Sequence, residues 1–290
     1  MIRVRTLLLA LWAMQCLASH AGLIDQVGVE LRLDDNLARA ELDRDITSDS
    51  TLVVSADAGA GYQVSDSDRL KLSFELSASA FRRYDGLDHV AARVALTHRH
   101  KFGLGAYAPA LALAVSASRL IYRDSARTGW QYEAGATLYK RFSPRVDMQA
   151  GYGFQLRRSD DVGERVLPQI AADVFDTSSR HLRLGINAML TPSYLLGASY
   201  AIHKGDIVST TLRNLPIFLA SDAIAPDEVF GPDRFAYTLT AMTRDLQLSL
   251  SRLIGVDASM TFGYQLIDSN AEGGIAYRSI LLRATYLQQF

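Results

Sequence analysis

Two groups of polar residues have the types and spacing that chemistry would need. His203, Asp206 and Ser209 follow one another closely, and nucleophilic catalysis requires a hydroxyl, a base within hydrogen-bond reach and a third group that orients the base. His98 and His100 alternate along the chain, so in a strand they share one face and could chelate a metal ion. Polar residues of these common types are more often solvated than catalytic. The sequence therefore predicts no catalytic residue, no metal site, no cofactor and no enzymatic activity.

The composition excludes several classes of protein. Of 290 residues, 49% are apolar and 21% are charged, and the mean hydropathy is +0.05. The chain is too apolar to be disordered and too charged to be a polytopic helical membrane protein. Its single cysteine excludes a disulfide framework and a cysteine-rich zinc site. The net charge of −1 gives no reason to expect a nucleic acid as a partner.

The beginning of the sequence has the pattern of an export signal. Arg3 and Arg5 precede an apolar core over residues 6–14, and Ser19 and Ala21 supply small residues at a cleavage site. We therefore predict a cleaved signal peptide over 1–21 and one domain over 22–290. Cleavage would remove Cys16 and leave an exported chain without cysteine, which is consistent with a bacterial cell-envelope protein.

Most of the remaining sequence alternates between apolar residues and polar or small ones. Between residues 52 and 64, the even positions are apolar and most odd positions are Ser, Asp, Gly or Gln. A strand turns successive side chains to opposite faces, so this segment has one apolar face. The pattern recurs about 12 times, with about 22 residues per strand and connection, which suits strands that cross a bilayer. We therefore predict an all-β fold, a single antiparallel transmembrane β-barrel of about 12 strands. The segment 234–253 is the least regular, because its alternation changes phase near Arg244.

The connections between these strands alternate in length. Short turns fall at 65–68, 143–144 and 191–193, and long polar connections fall at 37–50, 158–177 and 205–233. Transmembrane barrels have short turns on the periplasmic side and longer loops on the extracellular side. The alternation therefore agrees with the predicted barrel and was not imposed by the strand pattern.

Aromatic residues are predicted to form two girdles at the membrane interfaces. The girdle on the short-turn side comprises Tyr62, Phe102, Phe142, Tyr194, Tyr286 and Phe290. The girdle on the long-loop side comprises Tyr122, Trp130, Tyr132, Tyr152, Phe154, Phe262, Tyr264 and Tyr277. The same residues could fill the core of a soluble β-sandwich. The polar faces, however, are rich in Gly, Ala and Ser rather than Lys and Glu, which favours the interior of a closed barrel.

Charged residues of the strands are predicted to face the barrel lumen, because Arg or Lys on the lipid face costs about 2–4 kcal/mol at the membrane midplane. By parity the lumen-lining residues are Glu30, Arg32, Asp57, Lys71, Glu75, Arg93, Arg99, Glu133, Arg141, Asp147, Arg157 and Arg183. This mixed set could form a salt-bridged plug in a closed barrel, or it could line a narrow pore that prefers anions such as acidic sugars. A barrel of about 12 strands lies between those that fill with side chains and those that leave a channel.

The connection 205–233 leaves three alternatives open. It contains the apolar run Leu215–Ala220, followed by Asp222, Asp227, Glu228 and Asp233. Such a loop could fold into the lumen as a constriction, bind a partner, or pack as an ordinary surface loop.

The end of the sequence resembles the C-terminal insertion signal of bacterial outer-membrane β-barrels. Phe290 ends an alternating strand that carries Tyr286 on the same face, although Gln288 stands where a hydrophobic residue is usual. The segments 34–36 and 269–270, Asp-Asp-Asn and Ser-Asn, are similar to ones in outer-membrane β-barrel porins. These include barrels found with exopolysaccharide or surface-lipoprotein export systems. The resemblance implies the barrel-assembly machinery as a partner.

Taken together, the pattern and the resemblance predict an integral outer-membrane β-barrel of a Gram-negative bacterium. The expected function is a porin-like narrow or gated channel, or an accessory barrel of a surface-polymer or export system. Its expected partners are outer-membrane lipid and lipopolysaccharide, the assembly machinery, and a small anionic solute or polysaccharide. The alternatives are a closed structural or adhesive barrel and a membrane-embedded lipid hydrolase. The chain lacks the Asn-His-x-Ser-Asn-Gly signature of outer-membrane phospholipase A.

Overall fold

The computed structural model describes residues 24–166 and 168–290. The predicted signal peptide over 1–21 lies outside the described residues. The strands are β1 (Gln26–Asp34), β2 (Asp49–Gln63), β3 (Asp68–Phe81), β4 (His89–Lys101), β5 (Ala110–Tyr122), β6 (Gly129–Ser143), β7 (Val146–Ser159), β8 (Thr177–Thr191), β9 (Tyr194–Leu212), β10 (Ala223–Pro226), β11 (Arg234–Ile254), β12 (Ala258–Ala271) and β13 (Ala276–Gln289). One α-helix, α1 (Leu215–Ala220), lies between β9 and β10. No helix of the described ranges is long and apolar enough to cross a membrane.

The strands close into a barrel. Each long strand pairs antiparallel with its neighbours in chain order, except that β9 pairs with β11 across the short strand β10. The barrel closes where β1 pairs with β13, from Gln26 opposite Gln289 to Asp34 opposite Leu281. Twelve strands therefore form the wall, and β10 is an addition to the edge of β11. The predicted all-β barrel of about 12 strands is confirmed.

The connections divide the barrel into two ends. The short-turn end carries the connections 64–67, 102–109, 144–145, 192–193 and 255–257. The long-loop end carries the connections 35–48, 82–88, 123–128, 160–176, 213–233 and 272–275. The predicted short turns and long connections fall at opposite ends, but the lengths do not alternate strictly. Three connections at the long-loop end have only four to seven residues, and the connection 102–109 at the short-turn end has eight.

The faces of the wall follow the predicted parity. Trp130, Met148 and Phe262 lie on the outer surface with 42%, 42% and 56% of their side chains exposed, whereas Arg93 and Glu133 line an internal cavity. An apolar exterior with charged groups inside is the arrangement of a barrel in lipid, and it is the reverse of a soluble sandwich.

Two residues assigned to the long-loop girdle face inward instead. The Tyr122 ring stacks on His89 at 4.4 Å between centroids, and Arg157 lies 5.3 Å from the centroid of the same ring. Tyr277 is buried in an apolar cluster inside the long-loop end. The prediction that these two residues lie at the membrane interface was wrong. It used their nearness to a loop and not their parity along the strand, which places both on the inner face.

The buried apolar core lies at the long-loop end and not at the middle of the barrel. One cluster includes Ile217 of α1, Ile224 of β10, Tyr237 and Leu239 of β11, and Tyr277 of β13. A second cluster joins residues of the 160–176 connection to β10 and β11. The connection 213–233 is therefore a packed structure and the lumen below it is left to polar side chains.

Candidate functional site

The interior contains a central cavity of about 640 Å³. Its walls differ in charge. Asp57 of β2 and Glu75 of β3 lie on one side, and Arg183 and His181 of β8, with His203 of β9, lie on the other. In a ring of twelve wall strands, β2 and β3 are diametrically opposite β8 and β9. The cavity therefore has an acidic wall that faces a wall with a base and two imidazoles.

Arg93 links two acids and a hydroxyl around this cavity. Its Nη2 donates to Glu133 Oε2 at 2.7 Å and to Ser116 Oγ at 3.1 Å, and its Nη1 lies 3.9 Å from Glu75 Oε2. Gln131 donates a further hydrogen bond to Glu133 at 2.8 Å. The Arg93 and Glu133 side chains are each more than a third exposed to the lumen, so they are paired without being sealed from water. The pair therefore forms part of the polar wall of the cavity.

Register places all twelve predicted lumen residues on the same face of the barrel wall as Arg93. Asp57, Glu75, Arg93, Glu133 and Arg183 line the central cavity. Arg157 lies nearer the long-loop end, where it donates to the Arg127 carbonyl oxygen at 2.7 Å. Glu30 and Arg32 are paired on β1, and Glu30 also accepts from Thr285 Oγ1 at 2.9 Å.

The remaining four, Lys71, Arg99, Arg141 and Asp147, lie toward the short-turn end. Arg99 is directly opposite Arg69 across the β3–β4 pair, and Arg141 is opposite Asp147 across β6 and β7. With Lys71, this end of the lumen has four bases and one acid on the strands β3 to β7. The short-turn entrance is therefore positively charged.

A hairpin extends β9 and β11 beyond the wall at the long-loop end. The pairing of β9 with β8 stops at Gly205, whereas its pairing with β11 continues to Leu212 opposite Arg234. We call residues 206–240 the mouth hairpin. It includes α1 and β10. It directly follows Gly205, whose φ is +147°. A Cβ at Gly205 would lie 2.2 Å from the Ser178 carbonyl oxygen, so the close approach of the two strands requires glycine there.

The mouth hairpin reaches the opposite side of the barrel. Phe230 packs against Tyr84 of the 82–88 connection at 4.9 Å between ring centroids. Val229 lies against Gly86 of the same connection, so closely that a Cβ there would meet Val229 Cγ2 at 2.7 Å. The β3 and β4 strands that carry this connection are six wall positions away from β9 and β11. The hairpin therefore crosses the long-loop mouth.

A buried ion pair fastens the mouth hairpin. Arg127 Nη2 donates to Asp227 Oδ2 at 2.7 Å and its Nη1 donates to Oδ1 at 3.2 Å. The two side chains are 8% and 0% exposed. Asp227 also accepts from Thr210 Oγ1 at 2.6 Å, and the Arg127 guanidinium lies 4.3 Å from the centroid of the Phe175 ring. A buried pair with both partners satisfied holds a geometry firmly, because breaking it leaves an uncompensated charge.

The 35–48 connection supports the hairpin from a third side. The Ala38 and Arg39 carbonyl oxygens accept from Thr210 N at 2.8 Å and from Ser209 Oγ at 2.7 Å. Asp45, which is fully buried, accepts from Leu212 N at 3.3 Å. Of the three alternatives for the 205–233 connection, the structure shows a constriction folded over the lumen.

A second cavity of about 500 Å³ lies beneath the mouth hairpin. Arg39, Arg127, Arg157 and Asp245 contribute to its lining. It shares Gln155 and His203 with the central cavity, so the two adjoin at these side chains. The polar interior thus comprises two adjoining cavities, with the mouth hairpin across one end.

The three residues considered for catalysis are not assembled for it. The Ser209 hydroxyl donates to the Arg39 carbonyl oxygen and Ser209 is buried. Asp206 accepts from Ser178 N at 2.8 Å and Ser178 Oγ at 3.1 Å. His203 lies in the lumen beside His181, with 5.2 Å between ring centroids. The hydroxyl and the carboxylate therefore have other partners.

The histidines considered for metal binding share one acid. His98 Nε2 and His100 Nδ1 lie 3.0 and 2.9 Å from Asp68 Oδ1, on the outer face at the short-turn end. Within residues 24–166 and 168–290, no group of three or more potential ligands is arranged to hold a metal ion.

Several residues of the site are not among the lumen residues predicted from the sequence. Asp245 is buried on the lumen face of β11, where it accepts from Gln247 at 2.9 Å and Gln265 at 3.0 Å. Arg283 faces the lumen opposite Arg32. Arg127 and Asp227 lie in connections, where no alternation exists to assign a face. The signal available for Asp227 was its place in an apolar and acidic loop.

Comparison with known proteins identifies the class of fold. No family model matches the chain, and no curated protein matches it in sequence. Among solved structures, it is similar to the COG4313 outer membrane channel from Pseudomonas putida F1, with a TM-score of 0.57 and 12% identity over 92% of this chain and 96% of that one. It is also similar to the NanC porin, with a TM-score of 0.50 and 7% identity over 90% and 99% of the two chains.

The fold is therefore that of a bacterial outer-membrane channel or porin. The prediction of an outer-membrane β-barrel with porin-like architecture is confirmed. In such barrels the short turns face the periplasm and the long loops face the exterior, so the mouth hairpin corresponds to the extracellular end of those barrels.

Proposed function

We propose that the protein is an outer-membrane channel for small polar solutes, gated at its extracellular mouth by the mouth hairpin. The observation that carries this proposal is the lumen itself. A cavity of about 640 Å³, in which the paired Arg93 and Glu133 side chains remain more than a third exposed, adjoins a second polar cavity of about 500 Å³. A closed structural barrel has no use for such a lining, since charge without water or a partner is costly to bury.

The solutes that this channel would favour are small anions, of which acidic sugars are one class. The periplasmic entrance carries Arg69, Lys71, Arg99 and Arg141, and its acids include Asp147 and Asp25, whose carboxylate lies on the lumen side of β2 near Lys71. A ring of bases in a pore attracts anions and repels cations. Beyond this entrance, the acidic and basic walls of the central cavity would orient a solute that carries both an anionic group and hydrogen-bond donors.

Conductance in planar lipid bilayers tests this function. The purified, folded protein should produce discrete single-channel openings. In a KCl gradient across the bilayer, the reversal potential should have the sign that indicates anion selectivity. An absence of openings at every applied voltage would remove the channel and leave a closed structural or adhesive barrel. Openings with a cation-selective reversal potential would retain the channel and overturn the proposed solute class.

The same proposal includes the absence of lipid hydrolysis. The Ser209 hydroxyl is buried and engaged by a backbone carbonyl oxygen, so no lipid ester could reach it without displacing the 35–48 connection. Incubation with phospholipid vesicles should release no fatty acid. Release that is abolished by Ser209→Ala or His203→Ala would establish the enzyme instead.

Assembly into the membrane would use the C-terminal strand. Tyr286 and Phe290 are exposed on the outer face, 43% and 51%, where the assembly machinery could bind them. We propose that these two aromatic residues form its recognition signal. An accessory role in polymer or lipoprotein export would use the same barrel with a different cargo.

A further inference from the structure

The outer surface of the barrel carries an uncompensated basic patch at the extracellular end. Arg180 of β8 and Lys204 of β9 are directly opposite each other across the antiparallel pair, and both are exposed. Their even positions place them on the lipid-facing side, in line with Leu182 and Leu184. Arg244 of β11 lies on the same face, one step diagonally from Lys204. We call Arg180, Lys204 and Arg244 the outer basic patch.

Like charges directly opposite each other in a sheet are destabilising. Other bases near this level are already paired. Arg119 makes a bidentate contact with Asp160, which holds the pKa of that carboxyl below its ordinary value. Arg158 lies 3.7 Å from Asp176. Within the described ranges, by contrast, no acid lies within 4.0 Å of a charged nitrogen of the outer basic patch.

Two acids lie near the patch without neutralising it. Asp206 is two residues beyond Lys204, but its carboxylate accepts hydrogen bonds from Ser178 N and Oγ. Asp268 is opposite Arg244 across β11 and β12, and it is also opposite Arg278 across β12 and β13. Arg180 and Lys204 are consequently left facing each other with two positive charges.

The surface directly below the patch is apolar. On the same face, toward the membrane midplane, lie Leu182, Leu184, Tyr200 and Leu246, all exposed. Charged side chains cost little near a membrane interface, about 0–1 kcal/mol, compared with the midplane. Clustered bases at a membrane surface bind the phosphates of acidic lipid headgroups, and Arg and Lys bind phosphate through charge-assisted hydrogen bonds.

We propose that the outer basic patch binds a phosphorylated glycolipid of the outer leaflet, with the phosphate between Arg180 and Lys204 and the acyl chains on the leucines below. This is the chemistry of lipid A, the phosphorylated anchor of lipopolysaccharide. Binding relieves the repulsion between the two bases and fixes the barrel edge that carries β9, where the mouth hairpin begins. The proposal rests on the barrel's place in an outer membrane and is independent of conductance.

The test is native mass spectrometry of the purified protein in detergent, titrated with bisphosphorylated lipid A and with the same lipid after removal of both phosphates. The variant Arg180→Gln/Lys204→Gln should bind bisphosphorylated lipid A at least about tenfold more weakly than the parent protein. Phosphate-free lipid A should bind the parent as weakly as bisphosphorylated lipid A binds the variant.

The matched control is Lys140→Gln/Arg252→Gln, which removes two outward-facing bases at the short-turn end. It should retain the parent's affinity. Without lipid, the Arg180→Gln/Lys204→Gln variant should be at least as heat-stable as the parent, because it has lost a repulsion. Lipid A should raise the unfolding temperature of the parent only.

Three results would overturn the proposal: unchanged affinity in the Arg180→Gln/Lys204→Gln variant, equal binding of phosphate-free lipid A, or binding of phosphatidylglycerol as tight as that of lipid A. The last would mean a generally anionic surface with no glycolipid site. Since the variant leaves the lumen intact, its conductance should equal that of the parent, so failure of the channel would be seen separately.

Discussion

Arg93 is the residue on which the charge balance of the central cavity depends. It is the base within hydrogen-bond distance of Glu133 and within 4 Å of Glu75, and both carboxylates face the same water-filled space. The side chain therefore offsets negative charge on the wall of that cavity.

Arg93→Gln should make this cavity more favourable for cations. With the guanidinium removed, Glu75 and Glu133 face the lumen unpaired, and the ratio of anion to cation permeability should fall by at least about twofold, since rings of acids favour cations in pores. Reversal potentials in asymmetric KCl measure this ratio. Arg252→Gln, which removes a base from the outer surface, should leave the ratio unchanged, and an equal fall there would show that the site of the charge is irrelevant.

Asp227 is the residue on which the position of the mouth hairpin depends. Asp227→Asn should release the mouth hairpin, because breaking a buried ion pair costs about 3–5 kcal/mol. We expect a higher single-channel conductance or a higher open probability. Glu228→Gln changes the neighbouring charge by the same amount at an exposed position and should behave as the parent. If Asp227→Asn and Glu228→Gln gave the same conductance and open probability, the ion pair would not be what holds the mouth hairpin in place.

Parity along a strand assigns a face to each residue but gives no information about its partners. The twelve lumen residues share one face because side chains along a strand alternate with period two. That Arg93 pairs with Glu133, two strands away, depends on the registers of β4, β5 and β6, and these are set by turns and packing along the whole wall. Arg127 and Asp227 are 100 residues apart in connections, and no local pattern relates them.

The mouth hairpin is an element that the sequence pattern obscured. The strand β11 has 21 residues and keeps one face inward throughout, but its surroundings change along its length. Above Ala241 the inward side chains Tyr237 and Leu239 pack in the apolar cluster. Below Arg244 the outward side chains Leu246 and Leu248 are exposed on the outer surface. The apolar face therefore changes side, which explains the phase change without any bulge in the β9 or β12 pairing.

Gly205 is the position where this element leaves the wall. Gly205→Ala should disturb the bend, because a Cβ would meet the Ser178 backbone at 2.2 Å and the φ of +147° is unfavourable for alanine. Strain of this kind costs about 1–3 kcal/mol, so we expect a lower unfolding temperature and an opened mouth. Gly263→Ala, whose Cβ would make only ordinary contacts from 3.6 Å, is the control and should change neither property. Normal conductance and stability in Gly205→Ala would contradict this role.

The molecule as a whole has the properties of a barrel built for lipid. Its large apolar side chains are exposed on the outside, and the buried apolar clusters lie at the long-loop end. Composition, strand number and connection length were predictable because they follow from the bilayer thickness and from strand geometry. The packing of the mouth hairpin was not predictable, because it arises from its contacts with four other connections that are distant in sequence.

Heat modifiability should report this architecture. A closed barrel keeps every wall strand hydrogen-bonded on both sides, so it should resist sodium dodecyl sulfate until it is boiled. The unboiled protein should migrate differently from the boiled protein on a gel, and equal migration would count against a closed barrel.

The proposed channel requires a water-filled conduit closed by a hairpin that can move. A Cβ placed at Gly86 would lie 3.4 Å from the Val229 Cβ, close to the separation in a disulfide, and Cys16 is the one cysteine in the chain. The measurement is single-channel conductance of the triple variant Gly86→Cys/Val229→Cys/Asp227→Asn, before and after reduction. We predict the conductance of the parent protein in the oxidised form and the higher conductance of Asp227→Asn once the disulfide is reduced. The same conductance in both forms would contradict the gate, and no conductance in either would contradict the channel.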